Sequence, residues 1–324
     1  MARSGLTDER ARDAATTSRA DRPASGGQHA RRRRRRRTWV TIILFLLPAL
    51  VLFLLLVLTP ILIAAYSSFF RWNGLGGPPD DFVGLENFQR LLGDDVFHQD
   101  LWHGVVLIVL SLVIQLPLAL GIALLLNQRF RGRAFFRVVF FAPFVLSEVI
   151  AGVLFTILFS PETGVRFAQG WLAEPSTVIY ALFIVLTWKY FGFHMILYLA
   201  GRQNIPQELL DAAATDGATT WQSFRHITLP LLGPTIRISI FLSVIGVIQL
   251  FDMVWVLTGG GPVHSSETLA VTMFNFGFRR FQVGYASAIS MVMFLISLIF
   301  ALFYQRFVMR RDVQGALTTM GETR

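Results

Sequence analysis

Any chemistry in this chain has few reactive groups to draw on. Its 324 residues include no cysteine and a single lysine, Lys189. A thiolate nucleophile, a disulfide framework and a Cys-ligated metal site are therefore excluded. No glycine-rich loop followed by Lys and Ser or Thr occurs to cradle a nucleotide's phosphates. Nor does any set of nucleophile, base and metal ligands converge. What remains are polar residues set in apolar surroundings: Gln115, Glu148, Lys189, His194, Gln249 and Asp252. In a bilayer such residues are costly, so each marks binding or passage unless it hydrogen-bonds a neighbouring helix. Gln249 and Asp252, close to Trp255, combine donors, acceptors and an aromatic face, the mixture that a polar ring with apolar C–H faces requires. For Lys189 and His194 the reading leans to interhelical hydrogen bonds or to reaching the interface. For Glu148 a buried contact and a pathway role stand equal.

A second group of candidates lies in the polar segment 204–230. Pro206 suits a first helical turn, and Glu208 follows where the helix dipole favours an acid. Leu209, Leu210, Asp211, Ala212, Ala213 and Ala214 extend this to a short helix, and Asp216-Gly217 supplies its stop. A second short segment, 219–224, leads through Ile227 to Leu229-Pro230. A small helix with an alanine face, acidic flanks and a glycine end can press closely into a groove of another protein. The alternative is a surface helix that only connects its neighbours.

The elements that must position these residues follow from composition. Apolar residues make up 54% of the chain and charged ones only 15%, against about a quarter charged in soluble domains. The expected class is thus an integral membrane protein. Roughly 20 apolar residues in helix cross a bilayer, and the stretches 39–66, 101–126, 138–159, 178–200, 231–257 and 285–307 qualify. They are continuously apolar rather than alternating, so helices, not barrel strands, are expected. The first is too long for the apolar part of a cleaved signal peptide. The segment 85–92 is amphipathic and is expected to lie flat at the interface. Gly259-Gly260-Gly261-Pro262 has no lysine after it and is read as a turn.

Arginines give an orientation, because cytoplasmic loops collect them. One side holds the uninterrupted run from Arg31 to Arg37, then Arg129, Arg131, Arg133, Arg137, Arg202, Arg225, Arg306, Arg310 and Arg311. The other holds only Arg71, Arg90, Arg166, Arg279 and Arg280. Both termini are expected in the cytoplasm. The net charge of +9 raises a nucleic-acid reading, but no basic-aromatic domain accompanies the arginine run, which fits an anchor at anionic lipid better. Residues 1–37 and 312–324 are read as cytoplasmic tails, the first one disordered.

The spacing Asp211-Ala212-Ala213, three residues, Gly217, nine residues, Ile227, one residue, Leu229-Pro230 closely resembles the EAA loop of permease subunits of ABC importers. Asp211 stands where that family usually has glutamate. A second block, Phe251 to Pro262 with Ser266 to Ala270 and Gly284 to Ala288, is similar to carbohydrate permeases of the MalF type. The resemblance covers roughly 39–311 and implies an all-α, six-span, type I (MetI-like) permease domain, bounded here as 38–311. It implies that Glu208, Asp211, Ala212, Ala213, Asp216, Gly217, Ile227, Leu229 and Pro230 couple to ATPase subunits. It further implies a second homologous permease, two ATP-binding subunits and an extracytoplasmic sugar-binding protein as partners. ATP and magnesium would be held by the ATPase, with no cofactor or metal on this chain. The implied cargo is a di- or oligosaccharide, with glycerol phosphate or a polyol as alternatives; an ion-coupled secondary transporter would show internal repeats. By their polarity within apolar stretches, Gln249, Asp252, Trp255, Glu148 and Lys189 are the candidate pathway residues, and the resemblance implies a multi-pass protein of the bacterial cytoplasmic membrane.

Overall fold

The computed structural model describes residues 41–128, 130–162 and 164–309. The arginine run, both tails, Arg129, Arg310 and Arg311 lie outside the described residues. Within them the chain is helical, with one isolated bridge between Phe70 and Phe82. Contacts divide it into two units, Met1–Leu62 and Ile63–Arg324.

The first apolar helix, α1 (Thr41–Ser67), supplies the described part of the first unit and runs on into the second. Every residue from Thr41 to Pro60 is exposed. An apolar helix with no face buried suits a lipid or protein environment, not water.

In the second unit α2 (Glu86–Leu92) is the short amphipathic piece. Then come α3 (Asp95–Asn127), α4 (Arg133–Val145), α5 (Glu148–Leu158) and α6 (Val178–Gln203). Next are α7 (Gln207–Thr215), α8 (Thr220–Leu231), α9 (Gly233–Ile248) and α10 (Asp252–Leu257). Last are α11 (Leu269–Phe274), prolonged by a wide turn Asn275–Arg279, and α12 (Val283–Met309). The central helix is α6, which buries residues around its whole circumference. Leu126, Ala119 and Ala123 of α3 pack on its Phe191, Met195 and Tyr198, while Met253 and Val254 of α10 join its Leu182 and Val185.

Four helices, α1, α3, α6 and α12, are long and apolar enough to cross a membrane unaided. The expected third and fifth spans need correction, because neither is one rod. The third is broken between α4 and α5 with a 97° bend, and α8 and α9 meet at 64°. Counting each bent pair as one span gives six. The stretch 231–257 also breaks at Gln249 to Phe251, where the backbone leaves the helical region at Phe251 (φ −127°, ψ −65°). Apolarity reports burial in lipid, and it is silent about where the backbone turns.

Wide π turns precede three of the prolines. They occupy Leu54–Leu58 before Pro60, Ser111–Gln115 before Pro117 and Phe224–Thr228 before Pro230. Proline has no N–H and its ring clashes with the carbonyl four residues back, and one extra residue in the turn relieves the clash. The middle of α3 is thereby widened at Ser111 and Gln115, both buried.

Helices α5 and α10 pack very closely. A β-carbon on Gly152 would lie 2.7 Å from Cγ1 of Val256, so no larger residue fits there without separating them.

Candidate functional site

The segment 204–230 folds as two short helices. Pro206 is the residue just before α7 (φ −56°, ψ 130°) rather than inside its first turn. Gln207 and Asp211, one turn apart, are joined by a 3.0 Å hydrogen bond from Nε2 to Oδ1. At the end of α7, the N–H of Ala218 donates to the Ala213 carbonyl (2.9 Å) and that of Gly217 to the Ala214 carbonyl (3.1 Å). This is the Schellman pairing, and Gly217 holds the left-handed conformation it requires (φ +79°). A β-carbon at Gly217 would meet nothing within 4 Å. The demand for glycine within this chain therefore comes from the backbone, not from crowding. Across the turn, Thr219 caps α8: its hydroxyl accepts from the Gln222 N–H, and the Gln222 side chain accepts from the Thr219 N–H (2.7 Å).

A helix closed so completely at its end is nevertheless unpacked along its length, for no residue of α7 is buried. Glu208, Asp211, Ala212 and Asp216 are exposed and Ala213 is half-buried. Ile227 and Leu229 are half-buried and Pro230 is exposed. Leu209 and Trp221 stand out from the surface.

The polar residues of the apolar helices fall into two places. At the break between α4 and α5 the helix leaves carbonyls with no partner in the next turn. Lys189 of α6 supplies it: its ammonium donates to the carbonyls of Pro143 and Phe144 (3.2 Å each) and to that of Leu146. An ammonium has three protons, so the single lysine is saturated by backbone at a helix C-terminus, where a cation is favoured. On the other side of the break Glu148 opens α5 and accepts a hydrogen bond from the Tyr190 hydroxyl.

The second place is a cavity of about 260 Å³ between α3, α6 and α9. It is lined by Ser111 and Gln115 from the wide turn of α3, by Tyr190, Phe193 and His194 from α6, and by Ser243 and Gly246 from α9, among others. His194 is buried and shares a hydrogen bond with the Ser239 hydroxyl (2.6 Å). Ser111, Tyr190 and Ser243 were not singled out from the sequence. A signal for them exists: Ser111 and Gln115, Tyr190 and His194, and Ser239 and Ser243 are each four residues apart, which places both members of a pair on one helical face.

Gln249, Asp252 and Trp255 do not line this cavity. Gln249 is the exposed residue that ends α9, and Asp252 is exposed in the first turn of α10. Trp255 stacks on Phe251 (5.6 Å between ring centroids) and meets Phe274 edge-on at 4.7 Å. Gly259 to Pro262 forms a turn with Gly259 and Gly260 at positive φ. Asp100, one residue ahead of the expected second span, is buried in α3 and accepts from the Thr272 hydroxyl at 2.5 Å.

A bundle of long and broken apolar helices, with a largely apolar cavity carrying a few polar groups and an exposed short helix outside it, is the architecture of a membrane transport subunit. Residues 115–313 match the family described as the inner membrane component of binding-protein-dependent transport systems, and the chain belongs to that family. It is 36% identical to a probable ABC transporter permease, PH1215 of Pyrococcus horikoshii, over 74% of this chain and 85% of that protein. It is 32% identical to the trehalose/maltose transport system permease protein MalF of Thermococcus litoralis, over 70% and 80% of the two chains. Its fold is that of a crystal structure of a bacterial alginate ABC transporter in complex with an alginate pentasaccharide-bound periplasmic protein, with a TM-score of 0.73 and 23% identity over 85% of this chain and 96% of that one. Such a permease works with a binding protein and is a multi-pass component of the inner membrane.

Proposed function

We propose that this permease imports a di- or oligosaccharide, and that it does so with a second homologous permease, two ATP-binding subunits and an extracytoplasmic sugar-binding protein. The observation that carries the reading is α7, a helix with an ordered end and no buried residue. Such a helix is complete as a structure and incomplete as an interface. Its small residues Ala212 and Ala213, its acids Glu208, Asp211 and Asp216, and Gly217 form the surface offered to an ATPase, with Ile227, Leu229 and Pro230 fixing the following helix. ATP and magnesium belong to that partner. The sugar cargo is supported by the trehalose/maltose relative.

Within the membrane, the cavity of Gln115, Tyr190, His194 and Ser243 is the place for cargo, completed by the second permease. Its volume lies just below the usual range for ligand pockets. Lys189 and Glu148 set the broken helix and the Tyr190 ring rather than touch sugar. Gln249, Asp252 and Trp255 lie farther along the route. Both termini and the segment 204–230 face the cytoplasm, by the arginine distribution. Lipid surrounds α1, and nucleic acid has no part.

The test is reconstitution in vesicles with the partner subunits and sugar-loaded binding protein. Sugar uptake driven by ATP is expected, with a cysteine placed at Ser176 labelled from outside and one at Thr219 only from inside. Uptake without ATP, or labelling of Thr219 from outside, would overturn the reading.

A further inference from the structure

Near the start of α3 lies a carboxyl group that sugar import leaves unused. Asp100 is 2% exposed, and the Thr272 hydroxyl lies 2.5 Å from its Oδ2. Its Oδ1 is also buried and, among the described residues, meets no hydrogen-bond partner. Asp100 lines a cavity of about 220 Å³, to which Val244, Val247 and Ile248 of α9 and Ile296 and Phe300 of α12 bring no charge. The charged groups nearby have the wrong sign or are engaged elsewhere. Glu267 and Asp94 both repel a charge on Asp100. Glu267, 4% exposed, accepts from Asn275 (2.8 Å) and pairs with His264, while His103 shares a hydrogen bond with the Glu267 carbonyl (2.9 Å). Asp94 accepts from Tyr285 (3.0 Å), and Arg90 lies over that same ring at 4.1 Å. Asp95 and His98 are exposed, and His98 turns to the Asp94 carbonyl (2.9 Å). An ionised Asp100 would hold its charge in an apolar wall with one donor for two oxygens. Burying a charge so poorly paired is costly, and a carboxyl group escapes the cost by keeping its proton.

We propose that Asp100 is a proton-binding site, a carboxylic acid at neutral pH that donates to Thr272 and so latches α3 to α11. Oδ2 then carries the proton and Thr272 Oγ1 accepts it, the hydroxyl's own proton turning to the carbonyl one turn back. Oδ1 is left as a neutral carbonyl oxygen, which tolerates burial better than a share of a full charge. The latch sits beside the break between α9 and α10, because Thr268, one turn before Thr272, donates to the Leu250 carbonyl (2.7 Å). Loss of the proton sets a second buried charge against Glu267 and drives α11, with its grip on Leu250, away from α3. The folded chain thus binds a proton that the unfolded chain, its carboxylates ionised above about pH 4, releases. Stability therefore falls as the pH rises past that point.

The test is infrared spectroscopy on the full chain with its partner subunits in lipid nanodiscs. At neutral pH, the unmodified-minus-Asp100→Asn spectrum should show the carbonyl band of a protonated carboxylic acid. Thr272→Val removes the acceptor and should move that band to the position of an acid without a hydrogen bond. Between about pH 5 and about pH 9, the melting temperature of the unmodified protein should fall by several degrees relative to Asp100→Asn, whose amide has no proton to lose. Absence of the band at neutral pH, a band unmoved in Thr272→Val, or parallel melting profiles for the unmodified and Asp100→Asn proteins overturns the proposal. Should Asp100→Asn fail to assemble, the difference between the unmodified and Thr272→Val spectra decides alone.

Discussion

Helix α7 and the cavity between α3, α6 and α9 are built on opposite principles. The helix is made from consecutive residues, its end is closed by its own backbone, and its side chains are offered outward. The cavity takes its polar groups from three helices far apart in the sequence and turns them inward. In α7 what matters is what is missing, since small side chains leave room for a partner. In the cavity what matters is what is present, since each hydroxyl or amide must stand at a fixed point. If α7 docks on a partner, it should tolerate polar change and resist bulk, whereas the cavity should do the reverse.

Substitutions can sharpen or break that contrast. The largest effect is expected from Gly217→Leu, which forces a β-carbon into the left-handed region at a cost of about 1–2 kcal/mol and disturbs the α7 end. Membrane abundance should stay near normal while ATP hydrolysis no longer responds to loaded binding protein. Co-purification of the ATPase at normal stoichiometry with an intact response would return α7 to the role of a connector. Next comes Lys189→Met, which leaves the Phe144 and Leu146 carbonyls at the α4–α5 break without the lysine donor, while the Pro143 carbonyl keeps the Leu146 N–H; a buried acceptor without a donor costs about 1–3 kcal/mol. The melting temperature should fall by several degrees, with partial recovery in Lys189→Arg. A change in sugar preference at unchanged stability would instead place Lys189 in the pathway. Gln115→Leu should raise the KM for uptake severalfold without affecting assembly, whereas Gln115→Ala and Gln115→Leu behaving like the unmodified protein would empty the cavity of function. The smallest effect is expected from Gln249→Ala, a modest loss of uptake, because its side chain is exposed beside the cavity and not within it. Should Gln249→Ala prove more damaging than Gln115→Leu, the cargo route runs along α10 and not through α3.

The contrast also explains what could be read in advance. The stop at Gly217 and the two short helices were legible because capping and left-handed turns are decided by neighbours in sequence. The lengths of the first, fourth and sixth apolar stretches were legible too, as bilayer thickness sets them. The break at Leu146 and Ser147 was not, since its partner, Lys189, lies more than forty positions away and only folding brings the two together. Likewise Gln249, Asp252 and Trp255 seemed one group by proximity in sequence, but the chain leaves its helix at Phe251 and separates them from the cavity. The paired spacing of Ser111 with Gln115 and Tyr190 with His194 was present throughout. It gains meaning once the helices that share it are known to face each other.

The contact between Gly152 and Val256 has a mechanical consequence. With only a hydrogen atom between backbone and isopropyl group, α5 and α10 are keyed together, and sliding one along the other would have to lift them apart first. Rotation as one block is the movement left open to them. Both members of the block begin at a break between helices, one at Leu146 and Ser147, the other at Gln249 to Phe251. Strain delivered along α9 or α4 would then be taken up at these two joints while the keyed block kept its shape, much as a lock bolt turns whole upon its pins. Filling the keyhole, as Gly152→Val would do, should loosen the bolt without touching either joint.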